Sequence, residues 1–240
     1  YKTKAKDICA LSKMLIENFG GKVPDNMDDP ANWVIEPAAS IVNAATYMDI
    51  KPGDRVLLIG AGFMGLLMIQ LIRGYPMSEF VVCDVKESSR EMAKVCGAKI
   101  AIHPEQVEGT FEKVIECSGS QAGLDLAVSV CGMAGDIYLF GWHRQTRTID
   151  FKAEHTKGHR LIHTSPAIDS EKEYSRYWPK TIKLFEAGVF NLRPLITHKY
   201  SAEDISKGYS NIQNEIIKLY ANEVINNSKT IVFSADMPEL

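Results

Sequence analysis

The chain has 240 residues, 45% of them hydrophobic and 24% charged, and a formal net charge of −3. That length holds one large or two modest domains with an ample core, and the composition is that of an ordinary globular protein. The mild acidic balance gives no reason to expect a nucleic acid or an anionic membrane as partner, and no apolar run approaches the roughly 18 residues of a membrane span.

Residues 1–20 start basic and then place Ile8, Leu11, Leu15 and Phe19 at helical spacing, although Leu15-Ile16 fits a strand equally. Gly20-Gly21 and Pro24-Asp25-Asn26 punctuate a linker. Glu36-Pro37 opens a helix to about Met48, with Pro37 at home in the first turn, and Lys51-Pro52-Gly53-Asp54 is a turn. Residues 55–59 read as a buried strand and 66–72 as an apolar helix, joined by Gly60-Ala61-Gly62-Phe63-Met64-Gly65. A second apolar strand, 80–83, ends on Asp84. Helix 88–96 is stopped by Gly97, and strands follow at 99–102 and 111–117. Next come helix 121–131, a strand at 136–140 closing on Gly141-Trp142, and a strand at 159–163. A helix over 171–187 should break or restart at Pro179. Strands at 195–198 and 229–233 close the chain, with Ser201 and Asp204 as a capping box between them. Strand and helix alternate throughout, which predicts an α/β fold with a doubly wound parallel sheet, the Rossmann fold.

The glycine-rich turn carries the chemistry. Gly60 permits the tight turn, Gly62 lets the backbone approach a pyrophosphate, and Gly65 lets helix pack on strand, while the helix N-terminus offers positive dipole to phosphate. The glycine pattern alone is weak. A strand before it, a helix after it, and Asp84 standing 24 residues beyond Gly60 to hold an adenosine ribose make dinucleotide binding the expected function.

Taken together, Lys22-Val-Pro-Asp25, Glu36-Pro37-Ala38, Lys51-Pro-Gly-Asp-Arg-Val56, Ile59-Gly-Ala-Gly62, Gly97-Ala98, Val114-Ile-Glu-Cys-Ser-Gly119 and Pro194-Leu-Ile-Thr-His198 occur in an order that resembles the medium-chain dehydrogenase/reductase family. The branch it resembles is that of zinc-dependent alcohol and polyol dehydrogenases, from about Gly20 to Phe233. The resemblance implies that the amides of Phe63 and Met64, beside Gly60, Gly62 and Gly65, meet the pyrophosphate. Asp84 would take the ribose hydroxyls and repel a 2′-phosphate, favouring NAD. A basic residue often found five positions after this acid is Ser89 here, with Arg90 next to it. Ser118 and Gly119 would border the adenosine side. Phe140, Gly141 and Trp142, with Thr164-Ser165, would lie near the nicotinamide ribose and carboxamide.

In that family a preceding domain supplies most zinc ligands, and zinc lowers the alcohol's pKa so that hydride can leave. No Cys-Gly-x-Asp, no Gly-His-Glu and no four-cysteine lobe occurs in this sequence. The resemblance therefore implies that roughly the first third of a typical member is absent. The expected organisation is a remnant of the catalytic domain and linker at 1–35, an NAD-binding domain at 36–192, and a segment at 193–240 that partly returns to the catalytic domain. Glu36 matches a glutamate beside the catalytic zinc in polyol-type members, which makes it a catalytic and metal candidate. It equally suits a helix N-terminus electrostatically, and one carboxylate cannot assemble a zinc site that needs about three protein ligands. Zinc is expected only with the missing domain, and the 240 residues alone are not expected to turn over alcohols with it.

Cys9, Cys83, Cys96, Cys117 and Cys131 lack C-x-x-C spacing, so buried free thiols in a reducing cytoplasm are expected. His159 and His163 would share a strand face at about 13 Å, too far apart to chelate. His143, next to the expected nicotinamide end, is the histidine most worth mutating. Tyr47, Tyr174 and Tyr177 read as packing or surface residues. The first functional reading is an NAD(H)-dependent dehydrogenase of an alcohol, polyol or sugar-like substrate. The alternatives are a stand-alone dinucleotide-binding module and a zinc-independent reductase. A homodimer is expected through the sheet edge at 160–164, as the family commonly pairs there.

Overall fold

The computed structural model describes residues 35–164, 177–196, 198–201, 217–220 and 230–235. Helix α1 spans Ile35–Ala45. Strand β1 (Arg55–Ile59) leads into α2 (Phe63–Ile72), β2 (Glu79–Cys83), α3 (Glu87–Val95) and β3 (Ile100–Ile102). A 3-10 turn at Pro104–Gln106 precedes β4 (Phe111–Glu116), α4 (Gln121–Val130), β5 (Cys131–Leu139), α5 (Phe151–Lys157) and β6 (Arg160–His163). Helix α6 (Trp178–Glu186) and a 3-10 turn at Arg193–Leu195 come next, then β7 (His198–Ser201), β8 (Ile217–Tyr220) and β9 (Thr230–Ala235).

The first six strands form one sheet in the order β3-β2-β1-β4-β5-β6, every pairing parallel. The chain thus builds outward from β1 to β3, then crosses back to lay β4 on the other flank of β1. The reversal leaves a crevice outside the carboxyl ends of β1 and β4, where open α/β sheets bind ligands. A separate antiparallel sheet has the order β7-β9-β8.

Both faces of the parallel sheet are covered, and β1 shows how. Its residues alternate, Val56 and Leu58 joining a core with Ile41 of α1, Leu67 of α2 and Trp178 of α6. Leu57 and Ile59 join the opposite core with Leu124, Ala127 and Val130 of α4. A strand buried on both faces must be apolar throughout, which is why Val56-Leu57-Leu58-Ile59 has no polar position. Helix α2 is apolar almost all round because it is enclosed, with eight of its ten residues buried. Helix α3 buries only Ser89 and Ala93 and is polar elsewhere apart from Met92 and the exposed Val95.

Polar side chains close two ends of this framework. Level with the start of β6, Lys113 of β4, Asp136 of β5 and Arg160 of β6 face one another in register. Asp136, fully buried, accepts from Lys113 Nζ at 2.6 Å, from Arg160 Nε and Nη2 at 2.5 and 2.7 Å, and from the Tyr138 hydroxyl at 3.0 Å. Burial alone would raise its carboxyl's pKa, but those hydrogen bonds outweigh it and hold the value below the usual 3.8. Where α4 passes straight into β5, Lys157 Nζ donates to the carbonyls of Val128, Ser129 and Cys131 at 3.0, 2.7 and 3.2 Å. A lysine thereby satisfies carbonyls that a glycine cap commonly handles.

The structure corrects several sequence expectations. The segment expected as a strand at 195–198 begins as the 3-10 turn Arg193–Leu195, because Pro194 fixes a turn φ, and β7 starts only at His198. Strand β5 begins five residues earlier than expected, at Cys131, with a register shift against β4 and Ala134 at φ 54°. Helix α5 was not expected at all, and α1 ends at Ala45 rather than near Met48. Pro179 does sit in the first turn of α6, as a restart requires. The expectations for residues 1–34, Tyr174, Ser165 and the Asp204 capping box lie outside the described residues.

Candidate functional site

The turn after β1 has the stereochemistry its glycines suggested, with one refinement. Gly60 has φ +95°, and a Cβ there would stand 2.9 Å from the Ser118 amide nitrogen. A Cβ on Gly65 would come within 2.1 Å of the Gly60 carbonyl oxygen. Both positions therefore require glycine. Gly62 caps α2 at φ −73°, ψ −175°, a conformation open to any residue. Phe63 and Met64 form the first turn of that helix.

Asp84 stands just past β2, beside this turn. Its Oδ2 accepts from the Ala61 N–H at 2.8 Å and its Oδ1 from the Lys86 N–H at 2.8 Å. Arg90 Nη1 donates to the carbonyls of Asp84 and Val85 at 2.8 and 2.9 Å, whereas Ser89 is buried. The basic group next to the acid is thus Arg90.

On the other flank, β4 ends in Glu116, whose side chain is fully buried. Its Oε1 accepts from Ser118 N–H at 2.8 Å, from Gly119 N–H at 3.0 Å and from the Ser118 hydroxyl. Its main-chain oxygen accepts from Phe140 and Gly141 N–H at 2.9 and 2.8 Å. Gly119 has φ +64°, and a Cβ there would meet the Trp142 carbonyl oxygen at 2.8 Å. A Cβ on Gly141 would meet Gly119 N at 2.4 Å and Glu116 Oε2 at 2.6 Å. The loops after β1, β4 and β5 therefore touch backbone to backbone, bringing Gly60, Ser118, Gly119, Gly141 and Trp142 together.

Phe140 is buried, while Trp142 is 72% exposed with the Arg144 guanidinium over its ring at 4.7 Å. Thr164 is fully buried and donates to the Leu139 carbonyl at 3.3 Å. His143 lies between two charged groups: Arg147 Nε donates to its Nδ1 at 3.3 Å, and its Nε2 is 3.0 Å from Glu116 Oε2. That second contact is off the N–H axis and so is a charge contact rather than a directed hydrogen bond. Arg147 Nη2 also donates to the Gly119 carbonyl at 2.5 Å. The part Glu116 plays was not read from the sequence, although it lies within the quoted 114–119 stretch.

The metal candidates do not come together among the described residues. Glu36 is exposed in the first turn of α1, where Ser40 Oγ donates to it at 3.5 Å. Among the described residues, no group of three or more His, Cys, Asp or Glu side chains is placed to hold a metal ion. Burial pushes the thiols of Cys83 and Cys131 up to about 12, so near neutral pH they are protonated and poor ligands. His159 precedes β6 rather than joining it, and its ring nitrogens contact Glu154 Oε1 and the Cys131 carbonyl, each at 3.0 Å. Tyr47 is exposed and Tyr177 buried. Among the described residues, no helix is long and apolar enough to cross a membrane.

A glycine turn closed on its strand, an acid at the tip of the next strand, and a crevice at the reversal of strand order define a Rossmann unit of the dinucleotide-binding kind. No protein-family model matches the chain. It is 29% identical over 217 residues to the zinc-type alcohol dehydrogenase-like protein YdjJ of Escherichia coli, covering 84% of this chain and 60% of that protein. It is 26% identical over 203 residues to the D-xylulose reductase of Morganella morganii, covering 80% and 58%. A solved Escherichia coli alcohol dehydrogenase in complex with NADH superposes with a TM-score of 0.63 at 23% identity, over 75% of this chain and 54% of that one. Another solved neighbour, from Sinorhizobium meliloti, carries NADP. The resemblance to the zinc-type alcohol and polyol dehydrogenases of the medium-chain dehydrogenase/reductase family thus extends over most of the chain. The chain spans 58–60% of the length of the two relatives named.

Proposed function

We propose that these residues form the NAD(H)-binding part of a zinc-type medium-chain dehydrogenase that moves hydride between NAD and an alcohol or polyol. The observation that carries this reading is the joint between Asp84 and the glycine turn. Ala61 N–H binds the carboxylate, and the Gly60–Gly65 contact leaves no room for side chains where a pyrophosphate would lie. Gly60, Gly62, Phe63, Met64 and Gly65 would hold the pyrophosphate, Asp84 the adenosine ribose, and Ser118 and Gly119 the wall of that half. Phe140, Gly141 and Trp142 would border the other half. When bound, the nicotinamide supplies the hydride-accepting carbon; the chain's own residues orient it and exclude water from one side. Asp84 selects NAD because its charge opposes a 2′-phosphate, and the solved neighbours, which include both cofactors, do not decide this point. Titration with NADH and NADPH tests the assignment, and equal or tighter NADPH binding would sink it.

The zinc chemistry belongs to residues beyond the described site, since among the described residues no group of three or more His, Cys, Asp or Glu is placed to hold a metal. Under this reading 36–192 is the cofactor domain, 1–35 joins it to a catalytic domain, and 193–240 partly returns to that domain. The reading frame upstream of Tyr1 separates this from a stand-alone dinucleotide-binding module: Cys-Gly-x-Asp and Gly-His-Glu motifs there support the dehydrogenase, and a start codon immediately before Tyr1 supports the module. Two further parts of the proposal are a cytoplasmic location, suited to the free thiols of Cys83, Cys96, Cys117 and Cys131, and a two-fold dimer. The dimer would form along β6, which is an edge of the parallel sheet.

A further inference from the structure

Burying a carboxylate costs several kcal/mol unless its oxygens are satisfied, and an apolar residue would close the end of a core strand more cheaply. Glu116 is fully buried at the carboxyl end of β4, beside the strand-order reversal. Its contacts form a closed circuit. The carboxylate binds the Gly119 amide, the Gly119 carbonyl takes Arg147 Nη2, Arg147 Nε binds His143 Nδ1, and His143 Nε2 faces the carboxylate again. Because Nδ1 accepts from Arg147, the network assigns the imidazole hydrogen to Nε2, pointing positive charge density toward Glu116.

The circuit ties loop 117–120 to loop 140–147. It also presses Gly119 against Trp142, while Ser118 backs onto Gly60 of the pyrophosphate turn. We infer that Glu116 is a positioning residue. Through His143 and Arg147 it fixes loop 140–147 against loop 117–120, in the shape by which Phe140, Gly141 and Trp142 receive the nicotinamide half of a bound dinucleotide. The inference rests on the proposed cofactor site, in which adenosine lies between Asp84 and the Ser118–Gly119 wall and the other half falls beside the end of β5.

The chemistry distinguishes this role from simple packing. In Glu116→Gln the volume is kept, but one oxygen becomes an NH2 that must face either the Ser118 and Gly119 N–H groups or His143 Nε2–H. The loops then shift while the sheet beneath them stays. In His143→Ala the carboxylate loses the Nε2–H that faces it and Arg147 Nε its acceptor. In His143→Gln a side-chain N–H is restored.

The test is calorimetric titration of the 240-residue chain with NADH and, separately, with AMP, which carries the adenosine half alone. Glu116→Gln is expected to weaken NADH about tenfold, the worth of one charge-assisted hydrogen bond, and AMP distinctly less. His143→Ala should show the same split, and His143→Gln should recover most of the loss. If Glu116→Gln does not fold, the two histidine variants carry the test alone. Unchanged NADH affinity in the variants, or equal weakening of NADH and AMP, overturns the positioning role while leaving the cofactor assignment standing. A wild-type chain that binds neither ligand overturns both.

Discussion

Asp84 Oδ2 accepts the Ala61 N–H at 2.8 Å, so the acid beyond β2 is built into the turn that follows β1. The residue that would read the ribose is also a brace for the pyrophosphate turn, and the two duties are separable by substitution. Asp84→Asn keeps an oxygen for Ala61 but discards the charge. It should bring NADPH affinity toward that of NADH and lower thermal stability modestly, because its NH2 then faces the Lys86 N–H. Asp84→Ala should lose the brace as well, weakening NADH by about tenfold to a hundredfold, the scale of charge-assisted hydrogen bonds. Parallel titrations with both cofactors check the pair. An unchanged preference in the asparagine variant would remove Asp84 from cofactor selection.

Gly65 and Gly53 provide a steric contrast. A Cβ at Gly65 would collide with the Gly60 carbonyl at 2.1 Å, whereas Gly53, at φ +89°, has nothing within 4 Å. Gly65→Ala should cost about 3 kcal/mol or more and abolish NADH binding, as backbone overlap cannot be relieved by rotamers. Gly53→Ala should cost only about 1–2 kcal/mol, the conformational term alone, and bind NADH normally. Urea unfolding midpoints for both variants decide the matter.

Asp136 makes the stability acid-dependent. Its folded carboxyl titrates below the usual 3.8, so its contribution is complete above the unfolded value and is lost as pH falls through the folded one. Stability measured from pH 6 downward should therefore drop below about pH 4, and Asp136→Asn should flatten that limb. At neutral pH the same substitution strands the nearly buried Lys113 and should cost about 3–5 kcal/mol. Arg160 is more than half exposed, so Arg160→Gln should cost far less than Asp136→Asn.

The edge position of β6 leads to a prediction about assembly. Light scattering at micromolar concentration should give twice the chain mass. Ile162→Pro, which deletes an N–H from the edge strand, should return a monomer with NADH binding retained. A single-chain mass for the wild type would refute pairing through β6.

The parts of the site legible in the sequence are local ones. Gly60 to Gly65 lie within six residues, and their constraint is set by one strand and one helix, so spacing alone exposes it. Asp84 was legible because β1 and β2 are adjacent and their ends are level, Ile59 pairing with Cys83. The Glu116–His143–Arg147 circuit was not, because it closes between loops that only the β4–β5 pairing brings together. His143 stood out by its position near Trp142, but its partner did not, since a glutamate ending an apolar strand resembles any solvent-facing acid. The start of β5 was hidden for a different reason. Cys131-Gly-Met-Ala-Gly135 has the composition of a turn, and Lys157, distant in sequence, supplies the donors that let helix pass directly into strand. Helix α5, with its mixed Phe-Lys-Ala-Glu-His-Thr-Lys sequence, has too little apolar periodicity to announce itself.

The contact of Gly60 with Ser118, and of Gly119 with Trp142, has a mechanical consequence. Where side chains line a cleft, rotamer changes let its surface yield to a guest. Here carbonyl and amide groups abut directly, and the floor can change shape only if whole strands slide. Such a surface behaves as a rigid mould: analogues thickened at the pyrophosphate should be turned away at the threshold instead of being accommodated at reduced strength.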